Sequence, residues 1–131
     1  MKEEQLILIK YRLEQADASL KEAEVLLREN MSFRAVINRL YYSMFYAVLA
    51  ILQEKQIGTS KHIGAISSFD REFVKTGIFE KEFSKILHRT FELRQKGDYM
   101  EQVDVSKEDV DEILPKAKEF VNRIREYLIK K

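Results

Sequence analysis

The stretch from Phe33 to Leu52, FRAVINRLYYSMFYAVLAIL, is apolar on almost every face of a helix, and this constrains the fold more than any other feature of the chain. At about 100° per residue, Phe33, Val36, Ile37, Leu40, Met44, Ala47, Val48 and Ile51 form one stripe. Ala35, Tyr42, Phe45, Tyr46, Leu49 and Leu52 fill most of the remaining circumference. Such a helix belongs at the centre of other helices. Arg34, Asn38 and Arg39 interrupt it too much for a good membrane span, because those groups are expensive in hydrocarbon. Once buried, its tyrosines and polar residues need hydrogen-bond partners.

The rest of the chain reads as helices around that centre. From Glu3 to Arg28, Leu6, Ile9, Leu13, Ala16, Leu20, Ala23 and Leu27 alternate by threes and fours as the core-facing stripe of a long amphipathic helix. Asn30 suits its left-handed closure, and Ser32 suits the N-cap of the central helix. Gly58 is expected to break that helix, with Thr59 or Ser60 capping a short one from Lys61 to about Val74 that turns Ile63, Ile66, Phe69, Phe73 and Val74 inward. Gly77 ends it. Phe79, Phe83, Ile86, Leu87, Thr90, Phe91 and Arg94 then line one face of a fourth helix stopping near Gly97, which puts Asp98 and Tyr99 at the turn. Ser106 and Asp109 make a capping box for a last helix with Val110, Ile113, Leu114, Ala117, Phe120, Val121, Ile124 and Leu128 inward. Pro115 inside that run predicts a kink or a short pre-helix. The expected fold is all-α: an up-and-down bundle of four main helices plus one short helix, in a single domain over residues 1–131.

Composition narrows the chemistry. There is no cysteine, which excludes thiol catalysis, disulfides and thiolate metal sites. A net charge of +1 with 34% charged residues lacks the strongly basic footprint of general nucleic-acid binding, while leaving room for a local patch. MKEEQLILIK has too short an apolar run and acidic residues too early for a signal peptide, so the expected setting is the cytoplasm, with no membrane. The four glycines are scattered and form neither a Walker loop nor a dinucleotide fingerprint. No inward pair of histidines, nor Glu with His three residues on, marks a metal bundle, so no metal and no cofactor is expected. His62, after Ser60 and Lys61, reads as a local cap or surface group, and His88 lies about 120° off the Arg94 face.

What remains is a set of polar residues on or beside apolar faces: Asn38, Arg39 and Tyr42 on the central helix, and Arg94, Asp98 and Tyr99 at the end of the fourth. An arginine on an apolar face is costly unless a carboxylate or a tyrosine takes its donors. Arg39 or Arg94 either ties two helices together through Asp98, or lines a cleft and holds a phosphate, which the planar guanidinium fork suits.

Three groups of residues carry a family resemblance. They are Asn38-Arg39-Leu40-Tyr41-Tyr42 with Phe45-Tyr46-Ala47, then Lys61-His62 with Gly64 and Phe73 to Gly77, and finally Arg94-Gln95-Lys96-Gly97-Asp98-Tyr99. Together they resemble the HEPN domains (higher eukaryotes and prokaryotes nucleotide-binding), most of all the small stand-alone branch once catalogued as an uncharacterised protein family. The resemblance covers nearly the whole chain. It implies a helical bundle, usually a homodimer, paired with a minimal nucleotidyltransferase as toxin and antitoxin. In active members an Arg, four to six arbitrary residues and a His form a metal-independent RNA-cleaving site across the dimer interface. Arg94 stands where that Arg would be, but no histidine follows His88, and Asp98 and Tyr99 occupy the region instead.

Three readings follow. The first is a nucleotidyltransferase partner whose phosphate cleft for RNA or a nucleotide is built from Arg94, Asp98 and Tyr99 together with Arg39 and Tyr42, with Arg39, Tyr42 and Arg94 holding the phosphate. The second is an RNase toxin without the usual His, with Arg94, Asp98 and Tyr99 as catalytic residues. The third is a structural interaction protein in which the tyrosines and arginines only lock helices together.

Overall fold

The computed structural model describes residues 2–59, 61–99 and 105–130, without the side chains of residues 97–99. Five α-helices follow one another: α1 (Glu3–Arg28), α2 (Phe33–Glu54), α3 (His62–Phe69), α4 (Lys81–Tyr99) and α5 (Lys107–Ile129). Among the described residues there is no strand. The architecture is the expected all-α bundle of four main helices and a short one.

Most helix ends follow local chemistry. Asn30, in the left-handed region at φ 57°, closes α1 while the Met31 N–H returns to Leu26 O at 2.9 Å. Ser32 caps α2 by accepting from the Ala35 N–H at 3.2 Å. Ser106 and Asp109 form both halves of a capping box at the start of α5, at 3.1 and 3.0 Å. Gly77 takes φ +81° after the short helix, a value that strains any residue with a Cβ.

Other ends differ from the expectation. Gln56, not Gly58, is the left-handed residue that closes α2, at φ 58°, because the Ile57 N–H must turn back to reach Leu52 O at 3.0 Å. The cap expected from Thr59 or Ser60 is not how α3 starts: its N-cap is Lys61 with no side-chain hydrogen bond, Thr59 Oγ1 accepts from the Lys61 N–H at 3.3 Å, and Ser60 lies outside the described residues. The single helix expected from Lys61 to Val74 is α3 followed by a π-helical turn, Asp70–Val74. Ile63 points outward at 70% exposure. α4 runs through Gly97 to Tyr99, so Asp98 and Tyr99 belong to its last turn and not to the connecting turn. α5 is one helix through Pro115, without a separate pre-helix.

α2 sits at the centre, touching α1, α3, α4 and α5. Thirteen of its residues are buried, among them Tyr41, Met44, Phe45 and Ile51. It is also the one helix among the described residues long and apolar enough to cross a membrane, and most of it is covered by the bundle. On α1 the inward positions are Gln5, Ile9, Ala16, Ser19 and Ala23, while Leu6 is 47% exposed. Gln5 goes inward because its amide donates to Gln53 O and Glu54 O, at 2.7 and 3.0 Å, two carbonyls in the last turn of α2. Phe69, Phe73, Phe79, Phe83 and Phe120 pack ring on ring where α3, the π turn, α4 and α5 converge.

Candidate functional site

The polar residues of α2 rise toward α4 in two layers. Tyr41 and Phe45 are buried beneath; Asn38, Arg39, Tyr42 and Tyr46 are half-buried at the rim. α4 adds half-buried Phe91 and Arg94. Arg94 Nη2 donates to the Tyr42 hydroxyl at 3.2 Å, and the guanidinium carbon lies 5.1 Å from the Tyr42 ring centre and 5.4 Å from that of Tyr41. Arg39 reaches the same Tyr42 ring at 5.0 Å. Both guanidiniums therefore lie against the Tyr42 ring, each drawn by its negative π cloud. Arg39 is further held by Asn38 Oδ1, at 2.7 and 3.1 Å, and by Glu22 of α1 at 3.4 Å.

α3 contributes His62, its first residue. The imidazole stacks on Phe45 with ring centres 4.2 Å apart and lies 2.6 Å from the Tyr41 hydroxyl through Nδ1. Burial, and secondarily the charge of Arg94, hold His62 below the ordinary histidine value. Burial also keeps the Tyr41 phenol well above its usual range, against a smaller opposing pull from Arg94 and with a small push from Tyr42. Near neutral pH the tyrosine thus keeps its proton and the imidazole is neutral. A neutral imidazole with its hydrogen on Nε2 lets Nδ1 accept from the Tyr41 hydroxyl.

Arg39, Tyr42 and Arg94, singled out as phosphate-binding candidates, come together. Of the three catalytic candidates, Arg94 is in the cluster, while the Asp98 and Tyr99 side chains lie outside the described residues. The surface or capping role expected of His62 does not hold, because its ring packs against Tyr41 and Phe45 rather than capping α3. The signal that points to it is the need of a buried Tyr41 for a polar partner. His88 pairs instead with Asp70 of the π turn at 2.6 Å. An open groove floored by Phe83, Ile86 and Phe120, with Lys85, Arg89, Lys116, Glu80 and Glu119 around it, lies between α4 and α5 and contains no member of the cluster.

The arrangement offers cationic and neutral N–H donors beside aromatic faces on a half-open surface, which is the chemistry of an anion site. Comparisons with known proteins give the chain's relatives. Residues 9–127 match the model of the HEPN domain family. A UPF0332 protein of Thermotoga maritima is 40% identical over 92% of this chain and 91% of its own length. Two proteins of Methanocaldococcus jannaschii, each named as a candidate toxin, are 34% and 33% identical; they cover 91% and 88% of this chain and 80% and 85% of their own lengths.

Proposed function

The chain belongs to the HEPN domain family, and from that premise we propose that it is a toxin-like module that takes an RNA phosphate against Arg39, Tyr42 and Arg94. It works in the cytoplasm as a homodimer and as one half of a pair with a minimal nucleotidyltransferase. The toxin-like character is supported by the two archaeal relatives named as candidate toxins. The nucleotidyltransferase and the second protomer are carried by the resemblance of the Arg39-Leu40-Tyr41-Tyr42 and Arg94-to-Tyr99 segments to paired members of the family.

The observation that carries the phosphate assignment is the convergence of two guanidiniums on one tyrosine. Both carbons lie within about 5 Å of the Tyr42 ring centre, 5.0 Å for Arg39 and 5.1 Å for Arg94, on a half-buried face. A phosphodiester seated beside Tyr42 would meet a guanidinium fork from each of two helices, the geometry that suits a phosphate's oxygens. Aromatic rings beside the phosphate site supply stacking surface for an unpaired base, the usual way single-stranded RNA is held.

A second reading has its own support. The Arg94 to Tyr42 hydrogen bond joins α4 to α2 and by itself is what a purely structural clasp requires. Arg94→Ala separates the two. On the phosphate reading the variant melts within a few degrees of the parent and loses growth arrest and binding of a single-stranded RNA. Stability lower by several kcal/mol, with RNA binding falling only as the folded fraction falls, makes Arg94 a clasp and overturns the proposal.

A further inference from the structure

His62 is the titratable side chain of this cluster that the phosphate assignment leaves unused. It comes from a different helix to Arg94, and the two meet at Tyr41. The Tyr41 hydroxyl contacts Nδ1 at 2.6 Å, and the Arg94 guanidinium lies over the same ring at 5.4 Å. The nearly parallel rings of Phe45 and Phe91, with centres 4.2 and 6.4 Å away, limit how the imidazole turns.

A buried phenol that keeps its proton must donate it, and among the described residues the acceptor is Nδ1. That fixes the neutral tautomer with its hydrogen on Nε2, at the far edge of the ring. We infer that His62 is the second phosphate-directed group of this site, oriented by Tyr41 so that its Nε2–H donates to a non-bridging oxygen of the RNA phosphodiester that Arg94 holds. The inference rests on the Arg94 assignment above and adds to it a donor from α3.

The two groups are also coupled. The charged and titratable groups around His62 are Tyr41 and Tyr42 on α2, Arg94 on α4, and Lys61 at its own helix start. Arg94 disfavours a proton on the imidazole. A phosphate that neutralises the guanidinium lifts that opposition and adds an attraction of its own, so anion binding makes His62 more basic. His62 therefore takes a proton more readily when the site is filled than when it is empty.

The test uses the full chain and two probes, inorganic phosphate and a short single-stranded RNA made resistant to cleavage by 2'-O-methylation. In the parent protein, the nitrogen resonances of His62 at neutral pH are expected to report the Nε2–H tautomer. Its titration midpoint is expected to move upward when phosphate is added. His62→Ala is expected to weaken binding of the RNA roughly tenfold, the size of one lost hydrogen bond to a charged group, and His62→Gln, which keeps an N–H, to recover part of it. A midpoint that phosphate leaves unmoved, or a His62→Ala protein that binds the RNA like the parent while Arg94→Ala does not, overturns the role of His62 and spares that of Arg94. Undiminished binding by Arg94→Ala removes both. The midpoint is read on the unmutated chain, so a variant that folds poorly does not blunt the test.

Discussion

Tyr41 is fully buried, and its hydroxyl dictates much of the surrounding chemistry. The sequence made the demand legible, since a tyrosine inside an apolar helix must find a partner. It did not reveal which partner, because His62 follows a loop and lies in a different helix. The Arg39, Tyr42 and Arg94 grouping was more accessible: Arg39 and Tyr42 are one turn apart, and Arg94 continues the inward face of its own helix. The partial burial of His62 has a consequence for stability. Its folded value is lowered, so the native protein binds fewer protons than the unfolded chain once the pH drops below about 6.5. Its contribution is complete above that pH and is lost progressively as the pH falls through the lowered native value. Urea unfolding between pH 7.5 and 5 is expected to show a steeper loss of stability in the parent than in His62→Gln. Equal slopes would mean that the imidazole protonates alike in both states.

Among the elements, helices with a regular period and clear caps were read correctly, and irregular ones were not. Ser32 and the Ser106–Asp109 box signalled where α2 and α5 begin, and the structure keeps both caps. The π turn at Asp70–Val74 escaped notice because its extra residue breaks the 3.6-residue period only locally. Leu6 and Gln5 exchanged their expected places because the carbonyls ending α2 draw the amide inward, a demand made by another helix. Pro115 is an exposed residue inside α5, so its ring contributes little packing while withholding the N–H that would serve the carbonyl of Asp111. Pro115→Ala is therefore expected to stabilise the protein by about 1–3 kcal/mol, less than the full propensity difference where the helix has adjusted to the ring. Thermal denaturation with far-ultraviolet circular dichroism measures it; a lower melting temperature would show that the bundle needs the bend a proline imposes.

For the molecule as a whole, the central place of α2 was the most legible feature. An apolar circumference invites the idea that a second protomer completes the burial, yet α1, α3, α4 and α5 of the same chain already cover it. A homodimer of this protein must accordingly be built from surface residues, and its loss should leave the core as it is. Mass action then separates association from folding, because only a fold that depends on its partner melts earlier when diluted. Light scattering at micromolar concentration is expected to give the mass of a dimer, falling toward that of one chain on dilution, with the melting temperature unchanged across the same range. A melting temperature that drops with the mass would instead make each protomer part of the other's core. Association and folding would then be one event and not a reversible encounter of folded chains.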